Sequence, residues 1–399
     1  MRSFHFLPAL FASLALAATS VACGVEPSSD AAEDSIVDIG NTSVKKQTIG
    51  NCWIYASVGW TEVLHKQALE ATGADAEAAK VNFSEAYLTY WSWYQYIVSN
   101  YTDVDSGGAV TDGLGLIWRY GIVAETDFIP NADTSASDIQ SKALAALEVE
   151  FKTGALKTEE DRRDPAKVRE VLDRVWKLRP QVVAYLDKAF GKDVRDTLDR
   201  RPGNADGTPI RVAEKLPAVV MDHGKPIVKT LKDALGRDFW KKYMWHSIAP
   251  DSYARGFYRS IQHALHDRQP VVLHWFLDES AMQNDGSFRN APKKATAKQG
   301  SHIVVLSDYQ ATVPGYGLLK AGVAVTDPKI LEAALSEDTK VEFLRIKNSW
   351  GLAKKSVDGM NDLYATYLES QIPLFCPAGE KCSEASTDAV ISAYVPDGY

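Results

Sequence analysis

The chain is poor in cysteine, with four among 399 residues, which excludes a disulfide-stapled scaffold of the kind small secreted domains use. It also lacks a basic cluster. Lys and Arg total 44 against 52 Asp and Glu, giving a formal net charge of −8, and the nearest groupings, KKYMW and DRR, are small and mixed with acids. A phosphate backbone finds nothing to neutralise it there, so nucleic acid is excluded as a partner. No internal repeat and no long low-complexity segment interrupts the chain. His223 and His246 stand in no metal-ligand spacing, and no metal or organic cofactor is expected. Hydrophobic residues make up 45% and charged residues 24%, the balance of a globular protein with enough length to bury a large core.

The first residues read as an export leader. Arg2 supplies the positive start, Phe6 to Ala18 is an apolar run too short for a comfortable membrane span, and Ser20-Val21-Ala22 offers small residues for cleavage. Residues 1–22 are therefore expected to be a signal peptide. Cys23 follows directly, and the arrangement resembles a bacterial lipoprotein signal, in which the new N-terminal cysteine carries the lipid. The alternatives are a lipid anchor at Cys23 in the cell envelope, or ordinary secretion with Cys23 as a free thiol. Residues 23–43 are polar and acidic and read as a tether with little to bury.

Cys376 and Cys382 flank Pro and Gly in FCPAGEKCS. They either close a short disulfide loop, stay reduced, or form half a metal site; an exported chain with no His or further Cys nearby favours the disulfide. Cys52 is left over. It lies in KKQTIGNCWIYASVGWTEVL, where Gly50 and Asn51 permit capping geometry and the run from Cys52 onward has helical length and spacing. A thiol in the first helical turn faces unpaired N–H groups and the positive end of the dipole, which favour thiolate. Gln47 offers a side-chain amide to a developing oxyanion. The competing reading is a buried structural cysteine opening a core helix.

Downstream, Ser84 caps an aromatic helix through Tyr87, Trp91 and Tyr94. Gly107 and Gly108 form a loop that either lets an extended peptide approach or is simply a turn. A short helix from about Thr111 ends at Gly121. Residues 131–250 alternate charged and apolar positions at helical spacing and are expected to form a helical insertion. From residue 251 the chain turns strand-rich: PVVLHWFL, SHIVVLSDY, GVAVTD and VEFLRIKNSW read as strands. Helices first and strands later imply an α+β class rather than alternating βαβ units. His274 on its apolar strand, and His65, His263 and His266 on helices, read as packed or surface residues.

GNCW preceded by Gln, a Gly-Gly loop, the histidine of GSHIVVL and the pentapeptide KNSWG occur in this order. Together they resemble the papain-like cysteine peptidases across most of the chain. FSEAYLTYW followed by GG and YGIVAETDF is similar to the bleomycin hydrolase and aminopeptidase C branch. The resemblance implies a two-lobed α+β fold, with residues 44–130 as a helical lobe carrying the cysteine and residues 251–399 as a β-rich lobe. It makes Cys52 the nucleophile, His302 the general base and Asn348 the residue that holds the imidazole. Gln47 and the Cys52 backbone N–H would form the oxyanion hole, Trp350 would shield the His302–Asn348 bond, and Gly107 and Gly108 would pair with substrate backbone. The partner implied is a peptide or protein. Two departures stand out. Gln47 is five residues before Cys52, one fewer than is usual in the family. The interval from Cys52 to His302 is also far longer than the roughly 130–150 residues of compact members. A non-catalytic peptide-binding surface lipoprotein and an acyl-transferring enzyme are the alternatives in other functional classes.

Overall fold

The computed structural model describes residues 39–105, 107–129, 136–192, 205–235, 243–246, 254–352, 355–356, 358–376, 386–396 and 398–399. The leader, Cys23 and Cys382 lie outside them. No helix of the described residues is long and apolar enough to cross a membrane.

The class is α+β, with a helical half and a β-rich half. The helices begin with α1 (Cys52–Ala71), α2 (Asp75–Ala78), α3 (Glu85–Val98), α4 (Val110–Tyr120) and α5 (Glu125–Phe128). They continue as α6 (Ala136–Lys152), α7 (Glu159–Arg162), α8 (Pro165–Val175) and α9 (Pro180–Phe190). Local chemistry sets their ends. Ser84 accepts a hydrogen bond from the Tyr87 N–H at 3.2 Å at the start of α3, Asp164 caps α8 with Pro165 in its first turn, and Gly121, at φ +72°, ends α4.

Helix α1 is buried almost all round, from Cys52 to Ala68, because it is wedged between other elements. A Cβ placed on Gly59 would lie 3.3 Å from Val305, and one on Gly113 of α4 would lie 2.2 Å from the Ser57 hydroxyl. Both glycines thus let backbones approach where a side chain would push them apart. Against α3 packs an aromatic cluster in which Trp91 stacks on Tyr120 at 4.2 Å.

The β-rich half is a seven-stranded sheet. Its strands run in the order β3 (Tyr243–His246), β9 (Val390–Pro396), β4 (Val272–Asp278), β5 (Gln299–Val313), β7 (Lys340–Lys347), β8 (Met360–Tyr364), with β6 (Gly317–Leu319) hairpinned onto β5. Every pairing is antiparallel. Its central strands β4 and β5 are buried along most of their length, as their near-continuous apolar runs require.

Several sequence expectations need correcting. Residues 131–250 are not helical throughout. After α9 the chain forms a hairpin, β1 (Pro217–Asp222) with β2 (Lys225–Thr230), and then contributes β3 to the sheet edge. The turn is His223 and Gly224, both at positive φ (51° and 74°), the two-residue geometry that suits a hairpin between β-branched runs. GVAVTD is no strand: β5 runs on to Val313 and reverses through Gly315 and Gly317, both at positive φ, into β6. Val323 is then left 53% exposed. The end of the expected tether is not loose, because Ile39, Asn41 and Thr42 are buried. The Ile39 carbonyl accepts from Gln67 at 2.7 Å, and Asn41 donates to Ser307 at 2.9 Å. Finally, Asn51 precedes α1 without capping it through its side chain. Its amide donates instead to Thr89 at 2.9 Å and to Gln140 at 2.7 Å.

Candidate active site

Cys52 is the first residue of α1, His302 lies near the start of β5, and Asn348 follows the end of β7. The sheet brings the last two together: β5 pairs with β7 through Val305 and Lys347, so residues just before Val305 sit beside those just after Lys347. The imidazole Nε2 of His302 is 2.9 Å from Asn348 Oδ1. The indole of Trp350 stacks on the imidazole at 5.1 Å and 21°, and Trp275, opposite His302 in the β4–β5 register, meets it edge-on at 6.1 Å. Cys52, His302 and Asn348 are largely out of water, at 8%, 4% and 2% exposed, and Trp350 is half-buried over the imidazole.

The hydrogen bonds define a direction. The Ser349 N–H donates to Asn348 Oδ1 at 2.8 Å, and Asn348 Nδ2 donates to Asn361 Oδ1 at 2.8 Å. Asn361 in turn donates through Nδ2 to the carbonyls of Gly286 at 2.8 Å and Lys355 at 3.1 Å. Backbone groups therefore fix both amides, so Asn348 presents an oxygen to the imidazole and His302 must donate to it from Nε2. Nδ1 is left with a lone pair. Gly286 belongs to this arrangement by necessity: at φ +81°, a Cβ there would lie 2.0 Å from the Lys355 carbonyl oxygen.

Burial is the dominant influence on both reactive groups. It lowers His302 to about 4, reinforced by the nearby His274 and opposed by the Asn348 hydrogen bond. It also raises the Cys52 thiol, while backbone N–H groups of Ile303, Trp53 and Cys52 itself pull it back toward thiolate. The Ile303 amide belongs to the residue after His302. Strand β5 thus delivers both the base and a hydrogen-bond donor to the sulfur at the start of α1.

Gln47 is held beside this turn. Its backbone N–H donates to the Ser349 carbonyl at 2.7 Å, and its side-chain oxygen accepts from the Ser349 hydroxyl. Its Nε2 donates to the Ile49 carbonyl at 3.1 Å, back across the short step toward Cys52. One of its two N–H bonds is thereby occupied locally. Gly108 lies against Trp53, the residue after the cysteine, where a Cβ would come within 2.7 Å of the indole; around Gly107 the space is open. Asp105 ties this loop to the cysteine loop by accepting from the Gly50 N–H at 2.5 Å. Cys376 is disulfide-bonded, and Cys52 is a free thiol.

Asn361 and Asp105 were missed by sequence reasoning. Nothing in MNDLY or TDVDSGG marks them, because each acts on a neighbour through geometry that only the fold creates. The sole sequence hint at Asn361 is a polar residue at a strand position where an apolar one would pack.

Beneath the site is a buried charge cluster. Lys45 Nζ lies 3.2 Å from Glu62 and 2.8 Å from Glu85, and also donates to the Phe83 carbonyl at 2.6 Å. Lys347, next to Asn348 in sequence, approaches Glu62 at 4.0 Å. Burial alone would lower the Lys45 pKa, but Glu62 and Glu85 more than reverse it and keep the ammonium charged. Burial pushes Glu85 up to about 7 against the pull of Lys45.

No family model matches the chain, and no curated protein matches it in sequence. Among solved structures it is similar to xylellain, a cysteine protease from Xylella fastidiosa, at 16% identity over 90% of this chain and 84% of that one, with a TM-score of 0.35.

Proposed function

We propose that the protein is a papain-like cysteine peptidase that hydrolyses peptide bonds through a thioester acyl-enzyme. The observation that carries the reading is the directed chain of amides from Gly286 through Asn361 and Asn348 to His302. It leaves Nδ1 of a neutral imidazole free on the strand whose next N–H approaches the Cys52 sulfur. A binding module has no use for a histidine held in one tautomer beside a free thiol.

In this reading Nδ1 takes the thiol proton as sulfur attacks the scissile carbonyl carbon. The S–C bond forms and the carbonyl electrons move to oxygen, where the Cys52 N–H and the remaining Gln47 N–H meet the charge. As the oxyanion collapses, the C–N bond breaks and His302 returns the proton to the leaving amine. Water, deprotonated by the same nitrogen, then cleaves the thioester. Trp350 keeps bulk water from the His302–Asn348 bond, which strengthens it. Gly107, with open space around it, lies where an extended substrate backbone passes. We further propose that the leader directs export and that Cys23 accepts a lipid.

The test is labelling by a thiol-directed epoxide, with adduct mass and cleavage of a peptide library read in the parent and in Cys52→Ala. Expected are a single adduct on Cys52 and cleavage abolished by Cys52→Ala. An unlabelled thiol with no cleavage would sink the enzymatic reading, and products in which the acyl group ends on an added amine rather than on water would replace hydrolysis by transfer.

A further inference from the structure

Helices α5 and α6 and the α8–α9 connection border a cavity of about 620 Å³, well within the size of small-molecule sites. Its walls are apolar: Phe128, Ile129, Ile139, Val175 and Leu178 supply most of the surface. Ala146, Trp176 and three cations, Lys142, Lys177 and Arg179, complete the lining, and no acidic residue joins it among the described residues. Lys177, at φ +52°, ends α8 in the left-handed conformation, its own N–H and that of Leu178 bonding back to the Arg174 and Asp173 carbonyls at 3.1 and 3.0 Å.

The chemistry of this lining is one-sided. Among the described residues, every polar side chain in it is a donor and none is an acceptor. A peptide brings both N–H and C=O groups, and its N–H groups would go unmatched by the side chains here. A cationic amphiphile would meet three like charges. A hydrocarbon tail ending in a carboxylate brings apolar surface for the walls and a negative charge for the three cations. We propose that this cavity binds a long-chain carboxylate, a fatty acid, with its chain among the apolar side chains and its head toward Arg179, Lys177 and Lys142. The site lies between Phe128 and Ile129 of the helical lobe and α6, α8 and the α8–α9 connection of the helical insertion, and is read independently of any peptidase activity.

The experiment is calorimetric titration of the full chain with sodium dodecanoate below its micelle concentration, beside dodecyltrimethylammonium and a short apolar peptide. Dodecanoate is expected to bind saturably at one site per chain, the cationic amphiphile and the peptide at least about tenfold more weakly. The exposed pair Lys142→Glu/Lys177→Glu, which leaves the core untouched, should weaken dodecanoate by at least about tenfold. Ala146→Trp, which fills the cavity, should remove binding; if that variant fails to fold, the charge-reversed pair decides alone. Absence of saturable binding, equal binding of the two amphiphiles, tighter binding of the peptide, or unchanged affinity in the charge-reversed pair would each overturn the proposal.

Discussion

At the two reactive residues, burial acts in one sense: it keeps the thiol protonated and the imidazole neutral. A base must be neutral to act, so activity is expected to fall as the pH drops through about 4, the value to which His302 is lowered. Trp350→Ala, by admitting water to the ring, should move that acidic limb toward the ordinary 6.5; a kcat/KM profile that stays in place would separate Trp350 from the titration. The sign for stability follows. With a folded pKa below the unfolded 6.5, the unfolded chain binds more protons between the two values. The contribution of His302 is therefore complete above 6.5 and is lost as the pH falls toward about 4. Asn361 works one step further back, holding the Asn348 amide. Asn361→Leu should lower kcat by about 10- to 100-fold with KM nearly unchanged, measured per epoxide-titratable Cys52 so that loss of folded protein is not mistaken for loss of positioning. Cys52, His302 and Asn348 were legible in the sequence because each sits in a short motif. Asn361 was not, because what it does is decided by a carbonyl of Gly286 that lies distant in sequence.

Among the elements, the glycine loop before α4 divides its labour. Gly108 is closed in by the Trp53 indole, whereas Gly107 faces open space. Gly108→Ala should therefore cost stability, by about 1–3 kcal/mol as an overpacked contact. Gly107→Ala should leave the melting temperature unchanged and raise KM by crowding the substrate path. Equal melting temperatures for the two variants would show that the loop yields around Trp53. Helices α4, α6, α8 and α9 could be read from the helical spacing of their apolar residues, and α3, buried on nearly every face, from its Ser84 cap and aromatic run. The β1–β2 hairpin was hidden by its charged, helix-like surroundings, and its signal is no more than His223-Gly224 between two β-branched runs. GVAVTD failed for the opposite reason: its alternation is real, but the pairing edge beside β5 is taken by the nearer hairpin partner β6.

Across the whole molecule, the order of a helical half followed by a sheet was legible in the chain. The contacts that join the halves were not: Lys347 at the end of β7 approaches Glu62 of α1, and Glu62 is paired in turn with Lys45, whose lysine-rich neighbourhood reads as solvated surface. Lys45→Met would leave Glu62 and Glu85 buried without their main counter-charge, and a loss of about 3–5 kcal/mol is expected by denaturant titration. A change below about 1 kcal/mol would mean that Lys347 alone suffices for Glu62. If Cys23 carries a lipid, the protein expressed in a bacterial host should sediment with membranes and Cys23→Ala should release it. The segment that leads from there to the site is stitched in place: Lys46 bridges Trp350, the Gln47 N–H bonds the Ser349 carbonyl, and the Gly351 N–H bonds the Lys45 carbonyl at 3.1 Å. In mechanical terms it is a strap sewn to the turn that bears Asn348. Tension applied to the chain ahead of it, or a proteolytic nick within it, would load the turn that carries Asn348 before it disturbed the rest of the fold.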